Sequence, residues 1–128
     1  IYVSRAKAVR RRVANEAELA TALGERGFAT VVLEELSWAQ QIAVFRAARV
    51  VVAPHGAGLA NLVFCRPETR VVELLGREYC NPTFWRLATL AGLDYRPLVS
   101  SGEKALAENT ACNRLDIIAE VQAVLAAV

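Results

Sequence analysis

Val50-Val51-Val52-Ala53-Pro54-His55-Gly56-Ala57-Gly58-Leu59-Ala60-Asn61 reads as a strand that breaks at a histidine and two glycines before a short helix over Leu59–Phe64. An apolar, β-branched run without polar alternation is the pattern of a strand covered on both faces. The same reading fits outward in both directions. Ile1–Ser4, Phe28–Leu33, Arg70–Leu75 and Leu93–Val99 are further strands, with Phe28–Leu33 expected to be buried on both faces. Between them lie helix starts with recognisable chemistry. Asn15 is followed three residues later by Glu18, Ser37 by Gln40, and Asn81 directly by Pro82, all combinations that satisfy or dispense with the first free amides of a helix. Leu19, Ala22 and Leu23 line the first helix until Gly24 and Gly27; Trp38, Ile42 and Phe45 line the second; Phe84, Leu87 and Ala88 the third. Ser100–Ala111 reads as a mobile polar loop and Arg114–Ala127 as a last helix burying Ile118, Val121 and Leu125.

Strands alternating with helices, and no hairpin signal, mean an α/β fold: a Rossmann-like, doubly wound parallel sheet of five strands with helices on both faces. The expected strand order is 2-1-3-4-5. In that order the first and third strands are neighbours whose chains leave in opposite directions, and open sheets bind ligands beyond the carboxyl ends at such a switch point. Ser4-Arg5 and Pro54-His55-Gly56 are the two tails that meet there.

The chain of 128 residues fits one domain, 1–128, and its 55% apolar and 22% charged composition excludes a disordered one. No apolar run reaches the roughly 18 residues of a membrane span. The first residues read as a strand, with no leader pattern, as in a domain cut from something longer. A net charge of +2 is too small to point to nucleic acid. The positive charge is nevertheless concentrated: Arg5, Lys7, Arg10, Arg11 and Arg12 share one segment. Only Lys7 and Lys104 are lysines, and guanidinium forks suit oxyanions. At least two of Arg10–Arg12 are expected on a solvent-facing helix. Cys65, Cys80 and Cys112 show no metal-ligand spacing and suit a reducing compartment, and the Ala- and Arg-rich composition leans towards a bacterial cytoplasmic enzyme.

Gly56 and Gly58 allow a tight turn and close approach of a ligand, while the helix after them offers free amides and a positive dipole end. A phosphate or diphosphate would suit this turn; the alternative is a strand-to-helix turn that binds nothing. His55, the only histidine, either contacts a phosphate oxygen or is satisfied by backbone beside the turn. Arg5 leaves the adjacent strand toward the same crevice, or is solvated. Glu73 is expected at the end of the fourth strand, within reach of ribose hydroxyls or simply exposed. Glu34 and Glu35 end the second strand where a nucleobase would lie. Asn15 reads as a cap. No Gly-x-Ser-x-Gly elbow, Walker lysine or Asp-x-Asp metal pair occurs. A dinucleotide fingerprint would follow the first strand, not the third, and would carry glycine where Asn61 stands.

The blocks Asn15-Glu16, Glu34-Glu35-Leu36-Ser37 with Gln41, and Pro54–Leu59 with Asn61 and Phe64 resemble glycosyltransferase family 61. Arg70–Leu74 and Asn81-Pro82 with Trp85 extend the resemblance to about Tyr95. It implies the C-terminal, donor-binding half of a two-domain GT-B enzyme of capsular-polysaccharide or xylosyltransferase type, whose N-terminal domain is missing here. It implies inverting transfer from a nucleoside-diphosphate sugar, preferably UDP-linked, to a glycan or protein acceptor, with no cofactor and no metal. Carried over, Arg5 and His55 are the catalytic pair; Gly56, Ala57, Gly58 and Leu59 meet the diphosphate, Asn61 holds the turn, and Glu73 completes the donor site. In a eukaryote such an enzyme would work in the Golgi or ER lumen. The competing readings are an NAD-type dinucleotide module and a non-catalytic α/β interaction domain.

Overall fold

Tyr2–Ser4 (β1), Thr30–Val32 (β2), Val50–Pro54 (β3), Arg70–Leu75 (β4) and Asp94–Val99 (β5) pair in parallel in the order β2-β1-β3-β4-β5. The structure is a computed structural model and describes residues 1–100, 103–104 and 115–128. Helices Glu16–Gly24 (α1), Trp38–Ala47 (α2) and Thr83–Leu90 (α3) join the strands, and a 3-10 helix, Ala57–Phe64, follows β3. Beyond β5 come the short antiparallel pair Glu103–Lys104 (β6) and Asp116–Ile117 (β7), then helix Val121–Ala127 (α4).

The period-2 alternation of the strands divides the core in two. Val3, Val51, Ala53 and Val71 face Phe45, Leu59, Leu62 and Phe84, the layer of α2, the 3-10 helix and α3. Tyr2, Val52, Val72 and Leu74 face Leu19, Leu23 and Val124, the layer of α1 and α4. Both faces of the central strands are therefore covered, which is why β3 reads as an unbroken apolar run and β4 is apolar but for Arg70 and Glu73.

Several local expectations change. β2 is the edge of the sheet; it is only three residues long and partly exposed, because no described strand lies beyond it. Ser37 and Gln40 form the capping box, each side chain bonding the other's backbone amide. Asn15 precedes α1 without capping it. Its amide instead clasps the backbone of Ala119 on both sides, accepting at 2.9 Å from the Ala119 amide and donating at 2.9 Å to its carbonyl. Pro82 stands as the residue before α3 rather than its first, while Asn81 accepts from the Thr83 amide. Trp38 projects outward, and Phe45 alone of its helix is fully buried. α4 is shorter than expected: Asp116–Ile117 is spent on β7, Ile118 is exposed, and Val124 takes the core position. The expected loop over Ser100–Ala111 falls largely outside the described residues; Ser100 is buried and donates to the Ile118 carbonyl.

Candidate functional site

The carboxyl ends of β1 and β3 bring Arg5 and the His55–Gly58 turn together. Gly56 is extended, with φ 171°, so backbone freedom is not why glycine stands there. A Cβ at this position would sit 2.0 Å from Arg5 Nη1 and 2.6 Å from its Cζ. At Gly58 a Cβ would meet a Leu33 methyl at 2.8 Å. The two glycines thus make room for the protein's own side chains: one seats a guanidinium on the turn, the other packs the turn against the sheet.

Arg5 is held from the far side. Its Nε donates to the Arg11 carbonyl at 3.2 Å and its Nη2 to the Arg10 carbonyl at 3.1 Å. Nη1 makes no hydrogen bond among the described residues and rests against Gly56. Burial, followed by the charge of Arg11 and, more weakly, Arg10, holds the Arg5 guanidinium below its ordinary value, with Glu34 opposing. The group stays charged, with the charges of Arg11, Arg10 and Glu34 all acting on it. The segment carrying them is a loop, not the expected helix face. Arg11 sits in the left-handed region, φ 53°, a conformation costing on the order of 1 kcal/mol for a non-glycine residue. That turn points its carbonyl at Arg5, its Nε at the His55 carbonyl (3.2 Å), and its guanidinium over the Tyr79 ring.

The helix after the turn is 3-10 rather than α. Its amides align less well than those of an α-helix, so the field at the turn comes more from the arginines than from a macrodipole. Asn61 is buried; its Nδ2 donates to the Gly58 carbonyl (3.2 Å) and to Gln41 Oε1 (3.1 Å). Its Oδ1 is the one sealed side-chain oxygen or nitrogen without a partner among the described residues. Between Arg5, Glu34, Trp38, Gln41, Gly58 and Asn61 opens a cleft of about 360 Å³, within the range of small-ligand sites. Trp38 stands exposed at its rim, edge-on to Phe64. Glu34 and Glu35 lie on a 3-10 turn at this rim, Glu35 paired with Lys7. A larger cavity, about 640 Å³, lies at the opposite end of the sheet among Ile1, Phe28, Val44 and Ala48, away from these groups.

Glu73 is not at a strand end. It sits inside β4, wholly buried, opposite Pro97. Its Oε1 is bonded by His55 Nδ1 at 2.5 Å and its Oε2 accepts from the Tyr95 hydroxyl at 2.5 Å. Ribose contact is closed to it, because both oxygens are engaged beneath the surface. Burial first, then the hydrogen bond and charge of Glu73, pushes the Tyr95 hydroxyl well above its ordinary value, so tyrosine is the donor. His55 is buried too, its ring between those of Tyr79 and Phe84 at centroid distances of 5.5 and 5.2 Å. Tyr95, Tyr79 and Arg11 were not anticipated. A carboxylate in the middle of Val71–Leu75 was itself a signal, since a charge within a doubly covered strand requires polar partners.

No helix among the described residues is long and apolar enough to cross a membrane. The family model of Glycosyltransferase 61 matches residues 1–72. Beta-1,2-xylosyltransferase of Arabidopsis thaliana is 30% identical over 74 residues, 58% of this chain and 14% of that protein. Beta-1,2-xylosyltransferase RCN11 of Oryza sativa subsp. japonica is 29% identical over 105 residues, 76% and 20% respectively. Protein O-linked-mannose beta-1,4-N-acetylglucosaminyltransferase 2 of Tetraodon nigroviridis is 37% identical over 91 residues, 66% and 16%. The chain thus spans no more than a fifth of these relatives.

Proposed function

The chain belongs to the Glycosyltransferase 61 family, and from that premise we propose that it is the donor-binding part of a glycosyltransferase, holding a nucleoside-diphosphate sugar, UDP-linked by preference. The observation that carries this reading is the seating of Arg5 on Gly56. A guanidinium is fixed at the glycine turn with one nitrogen unspent, at the mouth of a cleft on the switch point. The diphosphate lies against Arg5 and the amides of Ala57 and Gly58, which open the 3-10 helix and have no preceding turn to bond. Leu59 and Asn61 shape the turn from beneath. The nucleoside extends into the cleft toward Trp38.

In sugar transfer with inversion, one group takes the proton of the acceptor hydroxyl while others stabilise the departing diphosphate. Arg5, the turn amides and His55 serve the second task. The first falls to a part of the protein beyond this domain, a separate acceptor domain, since Glu73 is buried and Glu34 lines the cleft where the nucleoside is expected. Arginines, rather than a divalent ion, meet the diphosphate, so donor binding is expected to persist in chelator. The acceptor is a glycan or a glycan-bearing protein.

Thermal unfolding with UDP, UDP-sugars or NAD tests this reading. A ligand at 100 times its Kd adds about 2.7 kcal/mol, several degrees in a domain of this size. UDP is expected to raise the midpoint by that much and NAD to leave it unchanged. Stabilisation by NAD alone would make this a dinucleotide module, and no response to either would leave an interaction domain.

A further inference from the structure

His55, Glu73 and Tyr95 come from the ends or interiors of three adjacent strands and fall on the same side of the sheet. Ala53 pairs with Glu73 and Glu73 with Pro97; His55 lies two residues beyond Ala53, and Tyr95 two before Pro97. Alternation therefore brings all three side chains to one face. They form a continuous chain of two hydrogen bonds, Tyr95 hydroxyl to Glu73 Oε2 and Glu73 Oε1 to His55 Nδ1, each 2.5 Å. The carboxylate is fully buried, and the two aromatic rings beside His55 fix the plane of the imidazole. His55 Nε2 makes no hydrogen bond, yet it is not among the sealed unpartnered atoms of the described residues. With Nδ1 on Glu73, Nε2 is the ring nitrogen left for a ligand, on a side chain 7% exposed.

We propose that Glu73 and Tyr95 are positioning residues for His55, holding Nδ1 as the protonated nitrogen so that Nε2 alone changes state and meets the ligand. A tyrosine hydroxyl donating to one oxygen favours the ionised carboxylate, and an ionised carboxylate accepts from Nδ1–H on the other. The tautomer of a histidine is set by the bond its remote nitrogen makes. In the neutral ring Nε2 is a bare acceptor. In the imidazolium Nε2–H donates to a phosphate oxygen while Glu73 balances the ring charge. In this arrangement Nε2 is the nitrogen that differs between the two ring forms. The choice of diphosphate as the ligand rests on the proposed donor site; the tautomer does not.

Because His55 is the only histidine, nitrogen NMR of the ¹⁵N-labelled chain reads it without assignment ambiguity. In the neutral ring the expected spectrum shows Nδ1 protonated and Nε2 bare. Glu73→Gln, which offers an amide that either donates or accepts, is expected to lose this one-sided tautomer. Tyr95→Phe, which keeps the ring and removes one donor, is expected to retain it in reduced proportion, and it keeps the inference testable if the glutamine variant does not fold. A neutral ring protonated at Nε2 in the unaltered chain, or a tautomer unchanged in both variants, overturns the proposal. Titration with UDP is a separate arm. A shift confined to Nε2 supports both readings. UDP that binds and perturbs Nδ1 instead overturns the positioning role, whereas UDP that fails to bind a chain with the expected tautomer overturns only the donor site.

Discussion

Glu73 in β4 and Asp116 in β7 are both acids buried almost completely, and the difference between them lies in their partners. Asp116 accepts the Arg12 backbone amide at 2.9 Å on one oxygen, and two nitrogens of the Arg12 guanidinium converge on the other at 3.2 and 3.0 Å. The surrounding backbone repeats the tie: Ile117 donates to the Arg12 carbonyl and Ala14 to the Ile117 carbonyl, each at 2.8 Å. Together with Asn15 on Ala119, these bonds close the arginine loop behind Arg5. Glu73 has no lysine or arginine partner among the described residues. Its partners are a tyrosine hydroxyl and an imidazole. A carboxylate on a permanent guanidinium makes a static clasp; one on a histidine makes a support for a group that works. Burial alone does not distinguish the two.

The largest effect should fall on the clasp. Arg12→Ala leaves Asp116 buried with only a backbone donor, and a loss of about 2–3 kcal/mol in urea unfolding is expected. A loss under about 1 kcal/mol would put the pair among ordinary surface bridges and dissolve the contrast with Glu73.

On the working side the effect should appear in binding. Arg5→Ala is expected to weaken UDP about ten- to a hundredfold by calorimetry, the worth of a charge-assisted contact of about 1.5–3 kcal/mol, with a much smaller change in ligand-free stability. Gly56→Ala sharpens this. Its methyl would meet the far end of a flexible side chain, so the fold should tolerate it while Arg5 swings away, lowering affinity about tenfold, or about 1.4 kcal/mol. Equal loss of stability and affinity in Gly56→Ala would show that the turn, not the cation on it, is what the glycine protects.

The smallest effect lies at alkaline pH. Burial pushes the Cys65 thiol up to about 11 from its ordinary 9.0, the Ile1 ammonium opposing slightly. A folded pKa above the unfolded one means stability that is full below pH about 9 and lost as pH rises through about 11. Tyr2, whose hydroxyl is likewise raised by burial and by its bond to Glu16, adds to the decline above about 10. Cys65→Ala should move the onset of this decline upward. An onset that stays in place assigns it elsewhere.

Much of this molecule was present in local sequence pattern. The parallel sheet followed from strands alternating with helices and from the absence of hairpin turns, the expected order 2-1-3-4-5 is the observed one, and the Ser37–Gln40 box formed as its spacing demanded, because such features depend on residues a few positions apart. The convergence of Arg5 with the His55–Gly58 turn was legible for the same reason: a parallel sheet with that order has one switch point, and each tail is read from the strand before it. What each residue does there was not legible. Glycine at 56 suggested backbone freedom, and only three-dimensional packing revealed the Arg5 guanidinium in its Cβ space. Glu73 read as a strand end, and Asn15 as a cap; their actual partners lie 18 and 22 residues away for Glu73 and 104 away for Asn15. Periodicity fixes which face a side chain takes. Which atoms meet it there depends on how distant segments close over that face, and that is decided only when the whole chain packs.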